Sequence, residues 1–355
     1  MYLGLKEMRR ERLRFSLLTG VMVLIALVVF VLAGLANGLS QGNRLAIDQW
    51  QAKYVYLNKD ANKNISASQL TTAAKNDVKG RKVVPVSLTN TALQKAGKST
   101  KINISALATN RDAFVMPKVT HGHAVNGKNQ VIISKNLKDQ GVKIGDQIRL
   151  GSNTQLLKVV GSYGKSTYSI APTLYTDIST LAHIKSVGGQ PVTKPLPINA
   201  LISKSSKLTS NDHNLQRLPI NTFIQNLPGY SAEQTTLNTM IYFLFAMSLA
   251  IIGIFMYVLT LQKQSLFGVM KVEGIGTNHI LASVVTQATV MSLISVIIGL
   301  AVTILIGNVA PSGMPFALNY GQLGIYGISL VVASILGSLL SWRTIAHINP
   351  VIAIK

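Results

Sequence analysis

From Gly274 to Trp342 the chain runs for about 69 residues without an Asp, Glu, Lys or Arg. That is too long for one helix across a bilayer core of ~30 Å and sufficient for two. Two shorter uncharged stretches precede it, between Arg14 and Arg44 and between Glu233 and Lys263, and each can supply one more span. The expected spans are Ser16–Asn37, Asn238–Leu261, Ile280–Ile306 and Leu323–Leu340. The chain is therefore expected to cross a membrane four times, once before and three times after a large polar segment.

The first apolar run could instead be a secretory signal. Leu17 to Ala36 exceeds the ~7–15 residues of a secretory apolar core, and the five basic residues of the leader are more than targeting requires. Retention is favoured, although Ala33 and Ala36 leave a cleavage-like pattern. Orientation follows from the short segments. Lys6, Arg9, Arg10, Arg12 and Arg14 precede span one, Lys263 and Lys271 lie between spans two and three, and Arg343 and Lys355 follow span four. The loop from Gly307 to Gln322 has no basic residue. The positive-inside rule then places both termini and the 263–277 segment in the cytosol of a multi-pass plasma-membrane protein, with the large domain outside.

The expected division is 1–39 for the cytosolic leader and span one, 40–236 for the external domain, and 237–355 for spans two to four with the tail. The external domain holds 25 of the 34 Lys and Arg and 9 of the 12 Asp and Glu, a net charge of about +16. Long domains cross membranes largely regardless of charge. The excess faces away from the cytosol, so lipid headgroups, wall polymers or an anionic substrate are better partners than nucleic acid. Cysteine is absent, which excludes disulfides, thiolate metal sites and a cysteine nucleophile.

Within this domain β-rich runs occur at Tyr54–Leu57, Val83–Leu88, Ile102–Leu107, Val131–Ser134, Gln147–Leu150 and Leu156–Val160, separated by turns such as Asn126-Gly127 and Gly145-Asp146. Ser66–Lys79 and Lys135–Gln140 are expected to be helical, and Ser186–Leu218 a loop or second lobe. The fold class is thus membrane α with an extracellular mixed α/β domain, in a 1+3 arrangement of spans. Pro311-Ser312-Gly313-Met314-Pro315 divides spans three and four. Small residues at Gly34 and Gly38, and at Ala333, Gly337 and Ser341, permit close helix approach, either within the chain or in a homodimer.

No catalytic motif is complete. Gly164-Lys165-Ser166 ends like a phosphate-binding loop, but the position of its first glycine is Val159. His121 and His123 share a strand face without a nearby carboxylate, which favours a solvated pair over a metal site. Gly38-Leu39-Ser40-Gln41-Gly42 follows a membrane span rather than a strand, so a nucleophile elbow is disfavoured. Neither an enzymatic role nor a bound cofactor is expected.

The cytosolic segment Lys263–Thr277 carries more information. Leu266, Phe267, Val269, Met270 and Glu273 would line one side of a short helix ended by Gly274, and an apolar cytosolic helix needs a partner or the membrane surface to cover it. Leu266-Phe267-Gly268-Val269-Met270-Lys271-Val272-Glu273-Gly274-Ile275 resembles the "EIGxLKAxGA" coupling helix of FtsX/MacB-type ABC transporter permeases, with Leu266 in place of the acidic residue and Val272 and Ile275 in place of alanines. The leader Leu5–Arg14 is similar to that family's cytosolic helix, and Ala346–Ile354 to its "IxPxxAL" ending. Val131–Lys135, Gly145-Asp146-Gln147-Ile148 and Val159-Val160-Gly161 are similar to strands and a turn of its external domain.

The resemblance spans the whole chain. It implies a permease homodimer in membrane lipid, served by a separate cytosolic ABC ATPase that does the hydrolysis. The expected docking residues are Leu266, Phe267, Met270, Lys271, Glu273, Gly274 and Gly276. Within the family, the size, the domain and Leu3-Gly4-Leu5-Lys6-Glu7 are most similar to permeases of bacterial haem-efflux pumps. Haem would then be a transported substrate, with Tyr230 near the second span and Tyr168 as candidate iron ligands and Arg44 as a candidate propionate partner. Export of an antimicrobial peptide, drug or lipid-linked molecule, and FtsX-like signalling to a cell-wall hydrolase, stand as alternatives.

Overall fold

The structure, a computed structural model, describes residues 2–79, 83–186, 194–205, 209–210, 214–309, 314–342 and 346. In chain order its helices are α1 (Tyr2–Arg10), α2 (Arg12–Trp50), α3 (Lys135–Asp139), α4 (Ile178–Lys185), α5 (Ile220–Gln225), α6 (Tyr230–Gln262), α7 (Gln264–Val272), α8 (Thr277–Val309) and α9 (Tyr320–Leu339). The longer strands are β1 (Tyr54–Asn58), β4 (Val83–Lys95), β5 (Lys101–Thr109), β7 (Gln130–Ser134), β8 (Gln147–Leu150), β9 (Leu157–Tyr163), β11 (Ala171–Asp177), β13 (Ala200–Ser203) and β15 (Leu215–Pro219). Two-residue strands complete the set: β2 (Leu70–Thr71), β3 (Val78–Lys79), β6 (His121–Gly122), β10 (Thr167–Tyr168), β12 (Pro197–Ile198) and β14 (Thr209–Ser210). The chain divides into two compact units, residues 1–38 with 234–355, and residues 39–233.

The first unit is helical. Four of its helices, α2, α6, α8 and α9, are long and apolar enough to cross a membrane. Glycines set how closely they approach. A Cβ at Gly299 of α8 would meet Ala26 and Leu27 of α2, and one at Gly337 of α9 would meet the Leu249 carbonyl of α6. Such contacts replace the hydrophobic drive that lipid removes. The small residues Gly34, Gly38 and Gly337 are thus used inside the chain: Gly34 faces the Phe316 ring and Gly38 the Pro315 carbonyl. The segment before α9 is fixed by Ala317, whose amide donates to the Gly34 carbonyl and whose carbonyl accepts from Asn37 Nδ2. Residues 311–313 of the expected turn lie outside the described residues.

The second unit is built on one mixed sheet. Around β4-β5-β11-β7-β9-β8 and back to β4 the pairings close into a ring, antiparallel except for β5–β11 and β7–β9. Closure removes edges that would otherwise be open to another chain. The long strand β4 leaves the ring and continues into β4-β13-β1-β15. Side chains alternate between two cores, as strand geometry requires. Val131, Ile133, Val159 and Leu174 enter one core; Ile132, Val160 and Tyr175 enter the other, with Ile47 and Trp50 from the end of α2.

Two local expectations fail. Ser66–Lys79 is not a helix: it forms β2, a 3-10 turn over Thr72–Asp77, and β3. Thr72 donates its amide to the Leu196 carbonyl, and its hydroxyl accepts from the Leu196 amide. Long-range pairing and side-chain competition for backbone groups outweigh a weak helical preference. Ser186–Leu218 is likewise more than a loop, since β13 and β15 flank β1 as full members of the sheet. The strand β11 and helix α4 were not expected.

Candidate functional site

Two clusters of expected functional residues are each assembled within one unit. In the helical unit, α7 ends in a Schellman turn. Gly274 adopts φ +86, its amide donates to the Lys271 carbonyl, and the Ile275 amide donates back to Met270. Glycine meets the left-handed requirement without a Cβ penalty, and Ile275 and Met270 join the same apolar cluster. Gly276 then accepts the first amides of α8 from His279 and Ile280.

This turn fixes which side of α7 faces out. Phe267 is buried among Met256, Leu259 and Val284, with Met270 partly buried beside it. Leu266, Val269 and Val272 are exposed, as is Glu273. The expected single apolar side is therefore divided: Phe267 and Met270 pack inward, and the outward face is carried by Leu266, Val269, Val272 and Glu273. Lys263, one turn before Phe267, is likewise turned inward, with 11% of its side chain exposed. Its ammonium lies 3.4 Å from Glu7 and 3.5 Å from Glu11 of the leader. Gln287 of α8 donates its side-chain amide to the other Glu7 oxygen. Lys271 Nζ donates to the Ala346 carbonyl at 3.2 Å; residues 347–355, with most of the expected tail motif, lie outside the described residues.

Glu7, Lys263 and Gln287 were not singled out as functional. A signal for one of them existed: Gln287 is a buried amide in the middle of an uncharged span, where polar groups need internal partners.

In the β-rich unit, α2 carries Ser40, Asn43, Arg44 and Asp48 on successive turns. Ser40 Oγ and the Tyr230 hydroxyl are hydrogen-bonded at 2.8 Å. Asn43 Nδ2 donates to Leu39 O and to Glu233 Oε2. The Arg44 side chain also interacts with the Tyr230 hydroxyl, while its Nε donates to both Asp48 oxygens, the nearer at 2.9 Å. The β10–β11 turn sits on this same stretch: the Ser169 amide donates to Asn43 O and the Ile170 amide to Gly42 O. Tyr230 and Arg44 are thereby brought together, with the turn that follows Tyr168 beside them.

The Tyr168 ring is in the core, 2% exposed, and burial pushes its phenol well above the ordinary tyrosine range. It is packed in the domain rather than held open for an iron centre. Arg44 is already paired with Asp48, so a ligand carboxylate must compete for it. His121 and His123 are exposed, and no group of three metal-capable side chains occurs among the described residues.

A family model described as the MacB-like periplasmic core domain matches residues 16–203, and one described as the FtsX-like permease C-terminal domain matches residues 238–350. A Staphylococcus epidermidis protein provisionally designated hemin transport system permease protein HrtB is 28% identical over 100% of this chain and 99% of its own length. A Staphylococcus haemolyticus protein of the same designation is 25% identical over the same shares. An uncharacterized ABC transporter permease of Mycobacterium bovis is 23% identical over 71% of this chain and 68% of its own. The extracellular domain of the transporter YknZ, a solved structure, aligns with 46% of this chain and 84% of its own at 15% identity and a TM-score of 0.30.

Proposed function

This chain belongs to the MacB/FtsX family of ABC transporter permeases, and on that premise we propose that it is the membrane subunit of an ATP-driven pump that exports haem. Likeness over the full length to proteins designated hemin transport permeases is the observation that carries the substrate. The lack of basic residues between spans three and four, against the basic leader and the 263–277 segment, supports cytosolic termini and a β-rich unit outside the cell.

In this reading a cytosolic ATPase grips the outward face of α7 through Leu266, Val269 and Val272, with Glu273 and the exposed Gly274 and Gly276 at its end. Phe267 and Met270 carry the motion inward, and Lys263 passes it to the leader through Glu7 and Glu11. A rigid corner of this kind converts closure of two ATPase domains into movement of α2 and α6. Two copies of the permease act on two ATPases.

Haem would meet the Tyr230–Arg44 corner, where a phenol and a guanidinium stand together: the phenolate oxygen can ligate ferric iron, and the guanidinium can bind a propionate in place of Asp48. Tyr168 would contribute only if the β10–β11 turn lifts from Gly42 and Asn43. The test is haemin challenge of cells lacking the protein. Hypersensitivity restored by the intact chain, together with haem-stimulated ATP hydrolysis by the reconstituted complex, supports export; indifference to haemin rules it out.

A further inference from the structure

The β-rich unit contains a cleft of about 630 Å³ that shares no lining residue with the Tyr230–Arg44 corner. Gln49 and Gln51, the 113–118 loop, Tyr163, Tyr175 and Lys204 line it. Its volume falls in the range of small-molecule sites. Its back wall is the edge-to-face pair Tyr163 and Tyr175, with ring centroids 5.7 Å apart. Both phenols are buried, and desolvation keeps them protonated. The Tyr163 hydroxyl is hydrogen-bonded to Thr173, whereas Tyr175 accepts from the Trp50 indole at 2.9 Å, which leaves the Tyr175 proton to donate.

The side walls are apolar and soft, from Phe114 and Met116. Lys204 lies over the Phe114 ring, 4.8 Å from its centroid, which fixes a cation at the wall, and Lys118 stands at the same loop. The lining includes no Asp or Glu. Gln51, which also lines the cleft, adopts φ +50 as the left-handed residue that ends α2.

We propose that this cleft binds an amphiphile that combines a flat aromatic body with at least one carboxylate. The ring packs against Phe114, Met116 and the tyrosine edges, and the carboxylate pairs with Lys118 and Lys204. The proposal needs neither iron nor the transport reading, so it survives or fails separately from both.

Trp50 supplies the readout, because the chain has two tryptophans and the other is Trp342. In the Trp342→Phe background, full-length protein in amphipol is titrated with metal-free protoporphyrin IX, and in parallel with oleate. Saturable quenching of Trp50 by the porphyrin is expected, with a midpoint raised at least tenfold by Lys118→Glu with Lys204→Glu and unchanged by Lys98→Glu, which reverses an exposed lysine outside the cleft. Lys118 is exposed, so Lys118→Glu alone is expected to fold and to raise the midpoint several-fold. Non-saturable quenching, an unchanged midpoint in folded Lys118→Glu, or displacement of porphyrin by equimolar oleate would overturn the assignment; the last would mark an acyl-chain site.

Discussion

Lys263 holds Glu7 at 3.4 Å with only 11% of its side chain exposed, tying the N-terminal leader to the corner that begins α7. Glu11 lies 3.5 Å from the same ammonium, and Gln287 completes the coordination of Glu7. A partly buried charge that loses its partner is costly, on the order of 3 kcal/mol. Glu7→Lys and Lys263→Glu should each lower thermal stability and uncouple ATP hydrolysis from substrate. The double exchange should restore part of both, and a double-mutant cycle on hydrolysis rate measures the coupling. Strict additivity would exclude the tie.

The outward and inward sides of α7 should separate experimentally. Leu266→Glu and Val269→Asp alter exposed side chains, so the permease should fold normally yet fail to co-purify with its ATPase. Phe267→Ala removes a buried ring and should cost roughly 3–5 kcal/mol of stability. Co-purification together with thermal unfolding distinguishes the two classes.

At the Tyr230 corner, Tyr230→Phe removes the hydrogen bond with Ser40 and should lower stability by about 1 kcal/mol. If the phenolate ligates haem, the same change removes the phenolate-to-iron charge-transfer band and haemin resistance falls. Asp48→Asn, which weakens the competitor for Arg44, should tighten haem binding severalfold. An unaltered spectrum in the Tyr230 variant would remove that residue from the site.

Two glycines of α2 give an internal control. A Cβ at Gly38 would overlap the Pro315 carbonyl, whereas one at Gly20 meets nothing within 4 Å. Gly38→Ala should destabilise by roughly 1–3 kcal/mol through overpacking. Gly20→Ala should be neutral or stabilise by up to about 1 kcal/mol, because alanine is the better helix former. Thermal unfolding in one detergent compares them directly.

Asp177 caps α4, accepting from the Thr180 amide at 2.7 Å and from Ser179 and Arg111. Burial alone would raise its pKa, but these hydrogen bonds reverse that and hold it below the usual carboxylate value. A carboxylate whose folded pKa is depressed stabilises fully above its unfolded pKa, and the effect fades as pH falls through the folded one. Asp177→Ala should therefore cost about 1–2 kcal/mol at pH 7. The gap between wild type and variant should narrow below about pH 4, as thermal unfolding across pH 3–7 would show.

The four membrane-capable helices were legible in the sequence because lipid imposes a one-dimensional rule: some twenty residues without charge. Strands such as Val131–Ser134 were legible for a similar reason, since β-branched runs keep their preference in most surroundings, whereas β11, β13 and β15 were not. Gly274 at the end of α7 was readable too, because a left-handed helix stop is a local event. What the chain could not disclose locally was decided by tertiary contacts. Thr72 pairs with Leu196 and so denies Ser66–Lys79 its helix. Lys263 is paired with Glu7, and Phe267 packs among Met256, Leu259 and Val284, contacts between segments distant in sequence that leave Leu266, Val269 and Val272 outward. Tyr168 is buried by the turn that docks on Gly42 and Asn43, while Tyr230 and Arg44 meet through α2. Local propensities are worth tenths of a kcal/mol per residue, and packing and pairing between distant segments outweigh them wherever the two disagree.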